Sequence, residues 1–384
     1  MKLDFDHRHY VPVIRFRRGE KVAVRQLEDH TRTRMSPLFE IVPIKDYSPS
    51  TVADEIRTHW GHHPYFYDLH HLPEGENPTF MLRIDQAMRN HGLASVPVVQ
   101  LINSFQLREA VAHIVAQNGR GACLRLFPED LRSPSMSNDI TGLLNHLRLP
   151  PEKTDLVVDY RIISQFNPPF SKLCTRLPAL ERWRTFTLVS GAFCQDLSDF
   201  EKNRQHTWSR DDWISWKRQI SEEDLPRYPT YGDYTVQYPL LVPPPEFPNV
   251  SASIRYTAED YWVIMRGEGM KTGPGSIQYA ANAQLLVERP EFCGASFSAG
   301  DQYIYDLSRF RIKGTGSPET LIRAAINHHV TMAMDQIAKL FAISVGDERA
   351  AGLFPSQQPP KVERRSPRGL YAGPGMRHQT PPRG

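Results

Sequence analysis

Leu156–Tyr160, Leu-Val-Val-Asp-Tyr, is a short apolar run with one carboxylate, Asp159, near its carboxyl end. A run of this kind reads as a strand buried on both faces, the habit of a parallel sheet. Similar runs recur at Tyr10–Phe16, Pro37–Ile44, Pro64–Leu69, Val96–Leu101, Ala122–Phe127, Thr185–Phe193 and Pro229–Tyr238. Each carries one polar residue towards its carboxyl end. In chain order these are Arg15, Glu40, Asp68, Gln100, Arg125, Asp159, Ser190 and Asp233.

Helical patterns fill the gaps at Glu20–Thr33, Val52–Trp60, Phe80–His91, Phe105–Gln117, Ser137–Leu147, Ser171–Trp183 and Trp208–Ile220. Strands alternating with helices in this way predict an α/β fold, a closed (β/α)8 TIM-like barrel. The last helix is expected at Pro318–Phe341, where Leu321, Ile322, Ala325, Ile326, Val330, Met334, Ile337 and Leu340 recur at helical spacing behind an N-cap at Ser317. Leu240–Gly316 then becomes an α+β insertion between strand 8 and helix 8. It opens with PLLVPPPEFP and holds a strand pair (Ala252–Thr257, Tyr261–Gly267), a helix (Ser276–Val287) and a polar turn at FSAGDQ. A strand-to-helix connection emerges on the face where barrels carry their chemistry, so this insertion is expected to cover the mouth as a lid. One barrel-like domain therefore spans residues 1–346.

From about Asp347 the chain is rich in proline and arginine and poor in apolar residues, a composition that predicts disorder. The net charge of +3 is misleading in one respect. Residues 350–384 carry Lys361, Arg364, Arg365, Arg368, Arg377 and Arg383 against Glu363, so the tail holds +5 and the rest of the chain −2. A body of that charge argues against coating nucleic acid with a broad basic face, although a local patch for an anionic ligand or nucleic acid is compatible with it. Four scattered cysteines give neither a zinc cluster nor a disulfide framework. The charged start, MKLDFDHRHY, and the absence of a spanning apolar run predict a soluble cytoplasmic protein with no membrane role.

Four segments, PLFEIVP (Pro37–Pro43), YGDYTVQYP (Tyr231–Pro239), FSAGD (Phe297–Asp301) and INHH (Ile326–His329), with the opening YVPVIRFRRGE, resemble the signature segments of the bacterial and phage "beta protein" family. The resemblance runs from about Tyr10 to Leu340. It implies a setting in phages, prophages and mobile bacterial loci, hence phage biology or antiviral defence with a protein partner from the same locus, and it implies no particular reaction. The Pro/Arg tail departs from the family pattern.

Four carboxylates and two arginines at strand ends should converge on one mouth. Glu40, Asp68 and Asp159 suit a divalent cation through hard oxygen ligands, while Asp159 and Asp233 could divide acid and base roles. Arg15 and Arg125 suit a phosphate or carboxylate, and Gln100, Ser298 and Asp301 are further candidates for contacting a ligand. His328 or His329 is the candidate proton carrier, although adjacent helical residues diverge by about 100° and cannot share one centre. This inventory fits a metal-dependent phosphoester hydrolase; the alternatives are a recognition component without catalysis, and a structural ion-pair network such as Arg15 with Glu40 and Arg125 with Asp159. Asp68, His70 and His71 form a D-x-H-H stretch at the end of strand three, where alternation places Asp68 and His70 on one face, compatible with metal binding. No P-loop, strand-linked GxGxxG or GxSxG motif occurs, and Trp213, Trp216 and Ile220 follow helical spacing as a core stripe.

Overall fold

A computed structural model describes residues 5–43, 48–73, 77–164, 169–222, 224–242, 246 and 249–346. The chain opens with β1 (Tyr10–Arg15), α1 (Arg18–Arg25), α2 (Asp29–Arg32), β2 (Leu38–Glu40), α3 (Pro49–His59), β3 (Tyr65–Asp68), α4 (Asn77–Asn90), β4 (Ser95–Val99) and α5 (Phe105–Asn118). It continues with β5 (Ala122–Leu126), α6 (Pro128–Arg132), α7 (Met136–Leu147), β6 (Thr154–Ile162), α8 (Phe170–Cys174), β7 (Thr185–Gly191), β8 (Arg204–Ser209), α9 (Asp211–Glu222) and β9 (Thr230–Asp233). Then come β10 (Ile254–Thr257), β11 (Tyr261–Arg266), α10 (Gln278–Val287), α11 (Ala299–Ser308) and α12 (Pro318–Gly346).

Strands β1 to β7 and β9 pair in parallel and close on themselves, because β9 lies between β7 and β1. This is the (β/α)8 barrel. Side chains alternate across each strand. One set, including Val11, Val13, Leu38, Phe66, Val96, Val98, Cys123, Val157, Val189 and Tyr234, packs the interior of the barrel. The other set, among them Tyr10, Ile14, Phe39, Tyr65, Leu124, Leu156 and Tyr231, packs outward against the helices. Interior space is tight at Gly232, where a Cβ would come within 2.7 Å of Val189 Cγ2 and 2.8 Å of the Val11 carbonyl oxygen.

Several elements differ from the sequence expectation, each for a local reason. The segment Glu20–Thr33 is two helices, interrupted where Leu27 turns into the core. The helix expected over Ser171–Trp183 shrinks to α8 and a single 3-10 turn at Leu180–Arg182, since Pro178 and the left-handed Ala179 (φ 50°) break it. Strand β9 stops at Asp233 rather than Tyr238, because Thr235 adopts a left-handed backbone (φ 58°). Trp208, expected on a helix, lies in β8, whose edge completes an antiparallel sheet in the order β10-β11-β8. The insertion therefore borrows a strand from the β7–α9 connection. Its sheet, α10, α11 and the first part of α12 enclose a second core around Ile254, Tyr256, Met265, Tyr279, Leu286 and Ile304. FSAGD is not a turn: Ser298 caps α11 by accepting the Asp301 N–H at 3.1 Å. The residues expected to form the Pro/Arg tail lie outside the described ones. No helix among the described residues is long and apolar enough to cross a membrane.

Candidate functional site

Alternation decides which strand-end residues meet. Interior positions at Val13, Leu38, Phe66, Val98, Cys123 and Val157 are each followed two residues later by Arg15, Glu40, Asp68, Gln100, Arg125 and Asp159, so these six reach the mouth. The register places Arg15, Glu40 and Asp68 side by side on three adjacent strands.

The fully buried Arg125 stands at the centre. Its Nη1 donates to Asp68 Oδ2 at 2.7 Å, its Nε to Asp159 Oδ2 at 3.0 Å, and its Nη2 to Asp159 Oδ2 at 2.6 Å and Glu40 Oε1 at 2.9 Å. Nη2 also donates to the Tyr234 hydroxyl at 2.9 Å, which in turn donates to Asp159 Oδ2 at 2.6 Å. All three guanidinium nitrogens are thus engaged. Glu40 turns its other oxygen to His71 Nε2 at 3.0 Å, with Arg15 Nε 3.7 Å away. Asp68 accepts from Gln100 Nε2 at 3.3 Å. Burial pushes the Glu40 carboxyl up, yet Arg125, His71 and Arg15 outweigh it and hold Glu40 well below the ordinary carboxylate range. Burial likewise raises Tyr234, with Asp159 adding to the effect, so the phenol stays protonated.

Where a divalent cation was expected among Glu40, Asp68 and Asp159, the positive charge is therefore a guanidinium. Among the described residues no group of three or more His, Cys, Asp or Glu side chains is placed to share a metal ion. The residues do not fit one. A second local job explains why aspartates recur at these ends: the backbone N–H two residues on donates to Asp68 Oδ1 (from His70, 2.9 Å), Asp159 Oδ1 (from Arg161, 2.7 Å) and Asp233 Oδ1 (from Thr235, 2.9 Å). Asp68 and Asp233 close their strands in this way, and Asp159 holds the irregularity in β6 between Asp159 and Ile162.

Ser190 and Asp233 follow interior-facing Val189 and Gly232 by one residue, so both point outward, away from the mouth. Asp233 accepts the hydroxyls of Tyr10 at 2.6 Å and Tyr231 at 3.0 Å, and meets His329 Nε2 at 2.8 Å. His329 Nδ1 contacts Thr257 Oγ1 at 2.8 Å. His328 meets Asp301 Oδ2 and the Thr257 carbonyl oxygen, each at 2.8 Å, and stacks on Tyr256 with ring centres 3.9 Å apart. Asp301 also accepts from Tyr256 and from Ser298, at 2.8 and 2.5 Å. Both histidines have zero exposure, so neither reaches the mouth, and Ser298 and Asp301 serve α11 and His328 rather than a ligand. Gly300 completes this junction: a Cβ there would lie 2.1 Å from the Ala324 carbonyl oxygen, and its N–H donates to Asn327 at 2.8 Å. Burial raises the Asp233 carboxyl, but His329 and the hydrogen bonds from Tyr10 and Thr235 prevail and hold it at about 2. Burial, only partly offset by Asp233, lowers His329 and keeps it neutral.

The segments YGDYTVQYP, FSAGD and INHH thus meet in one dry junction outside the barrel, while PLFEIVP and YVPVIRFRRGE also supply Glu40 and Arg15 to the mouth. The sequence model of the Beta protein family matches residues 10–335. The chain belongs to the Beta protein family. No curated protein matches it in sequence. Among solved structures, a candidate fructose-1,6-biphosphate aldolase from Coccidioides immitis is 11% identical at a TM-score of 0.36, covering 88% of this chain and 93% of that one. An alanine racemase from Clostridium difficile 630, in complex with cycloserine, is 10% identical at a TM-score of 0.22, covering 42% of this chain and 36% of its own.

Three parts of the mouth were not assigned as the structure places them. Tyr234 was legible from alternation, one residue past the outward Asp233. His71, not His70, contacts the carboxylates; the strand ends at Asp68, so alternation no longer applies beyond it, and His70 is exposed. The third is an apolar edge: Ile102, 81% exposed, lines a cavity of about 180 Å3 together with Asp68, His70 and Gln100, and Phe105, 65% exposed, follows it three residues on.

Proposed function

We propose that this protein is a cytoplasmic recognition component of a phage or anti-phage locus, binding at the carboxyl face of its barrel without catalysing a reaction. The observation that carries this reading is the engagement of all three guanidinium nitrogens of Arg125 by Glu40, Asp68, Asp159 and Tyr234. A hydrolytic site needs a carboxylate free to accept a proton or to ligate a metal. Here each mouth carboxylate already serves the guanidinium, and backbone N–H groups two residues on use the other oxygens of Asp68 and Asp159. Asp233 and His329, which would be the natural acid-base couple, are sealed behind the barrel wall. Membership of the family supports the setting. Leu240–Gly316 serves in this reading as a lid, and exposed Ile102 and Phe105 offer a partner an apolar edge at the rim.

The test pairs turnover with capture. Purified full-length protein, supplied in turn with Mg2+, Mn2+ and Zn2+, is expected to leave phosphoester substrates intact while retaining a protein encoded beside its gene. Metal-dependent turnover that disappears in a normally folded Asp159→Asn variant would overturn the reading.

A further inference from the structure

A cavity of about 480 Å3 opens between the carboxyl ends of β1 and β9 and the start of α12. That volume lies within the roughly 300–1,000 Å3 usual for small-molecule sites. Four arginines line it, Arg15, Arg17, Arg18 and Arg255, against two glutamates, Glu20 and Glu319. We propose that this cavity binds the phosphate of a phosphorylated small molecule, with Arg255 and the uncapped start of α1 as its principal contacts. The inference deepens the recognition reading by giving it a ligand class, and it rests on that reading only in expecting no turnover.

Arg255 is the first reason. Its Nη1 donates to the Val236 carbonyl oxygen at 2.8 Å and its guanidinium lies 4.6 Å from the Phe193 ring centre, yet no carboxylate among the described residues pairs with it. A half-buried cation without a counter-charge is unfavourable until an anion joins it. Arg15 is the second. Its side chain is nearly buried and its Nη2 is fixed by the Tyr238 and Pro239 carbonyl oxygens, but its Nε has no hydrogen-bond partner and sees only Glu40 at 3.7 Å. The third is backbone. Helix α1 begins at Arg18 behind an N-cap, Arg17, that makes no side-chain cap, and Arg18, Gly19 and Glu20 of its first turn line the cavity. Such a terminus favours anions by geometry and by dipole.

Counter-charge does not fill the cavity. Glu319 pairs with exposed Arg18 at 3.3 Å, and Glu20 accepts from Gln237 at 3.0 Å. Arg17 remains exposed beside them. The net positive lining, planar guanidinium donors and backbone N–H groups together suit a phosphate dianion better than a single carboxylate. A small ligand is favoured over nucleic acid because the chain outside residues 350–384 carries −2, which gives a polyanion no extended basic track. Leu240 and Val242, both partly exposed at the cavity edge, would cover the ligand's apolar body.

Calorimetric titration of the full chain with inorganic phosphate and with AMP, at constant ionic strength, tests the site. Saturable binding of either probe is expected in the wild type, weakened roughly ten- to hundredfold by Arg255→Met, the scale of a hydrogen-bonded charge contact. The exposed pair Arg17→Ala/Arg18→Ala, which leaves the core untouched, should weaken it roughly two- to tenfold even if Arg255→Met fails to fold. Absence of binding by both probes, or affinity unchanged in a folded Arg255→Met and in the double variant, overturns the proposal while leaving the recognition reading standing. Release of phosphate from AMP does the reverse: it supports the cavity and sinks recognition without turnover.

Discussion

The barrel mouth and the junction behind its wall are both built from carboxylates at strand ends, yet they differ in kind. At the mouth, three carboxylates gather around one guanidinium, and exposed His70 and half-buried His71 connect them to solvent. Behind the wall, Asp233, Asp301, His328 and His329 are fully sealed, each bonded to hydroxyls, backbone or one another. One residue separates the two worlds, since Asp233 faces the helices and Tyr234 the interior. A polar residue at a strand end is thus assigned by its side of the strand before its chemistry matters.

The sharpest way to break the comparison is Arg125→Met. Removing the shared partner leaves three buried carboxylates facing one another, and breaking a buried ion pair on one side typically costs about 3–5 kcal/mol. Denaturant unfolding should register that loss. Adding Asp159→Asn to Arg125→Met should recover part of it, because one uncompensated charge is gone. A loss no larger than that of an exposed pair, below about 1 kcal/mol, would mean that the mouth is hydrated and its charges are not bound to one another as described.

Much of this architecture was legible in the sequence. The barrel followed from the eight buried runs, and five charged mouth residues, Arg15, Glu40, Asp68, Arg125 and Asp159, were found because each ends an inward-facing series. Asp233 and Ser190 were misassigned because composition alone does not reveal the parity of a strand; the neighbouring Gly232, at a position with no room for a Cβ, was the available clue. The cation expected at the mouth was replaced by Arg125, since carboxylates converging in a dry interior need positive charge but do not specify its source. FSAGD read as a turn because Ser, Gly and Asp are equally the residues of a helix cap and of a close helix crossing. Arg255 was invisible: it enters the site from the inserted sheet, and that contact depends on tertiary packing.

A smaller effect sharpens the other side. Asp233 is held at about 2, below its ordinary value of 3.8, so the folded state releases this proton more readily than the unfolded one. The resulting stability is present above about pH 4 and is lost as pH falls through about 2. Replacing the group by Asp233→Asn should remove about 2 kcal/mol of this pH-dependent component, the value of a shift of nearly two units. The measurement is unfolding free energy from pH 5 to pH 2 in both proteins. Parallel curves would show that His329 and Tyr10 do not hold the carboxylate in its charged form.

The smallest expected change in stability is the most informative about function. His71 donates one contact to Glu40, whose other oxygen stays bound to Arg125, so His71→Ala should cost less than about 1 kcal/mol in denaturant unfolding. The same residue stands with His70 where the charged cluster meets solvent, and a partner seated on the mouth would touch it before reaching Arg125. His71→Ala should therefore weaken partner capture while leaving stability nearly intact, whereas Asp233→Asn should lower acid stability while leaving capture intact. If both variants move both quantities together, the two networks are one cooperative unit and the mouth cannot be assigned to recognition separately from the fold. If His71→Ala moves neither, the partner lands elsewhere on the carboxyl face, and the apolar pair Ile102 and Phe105 becomes the next place to substitute.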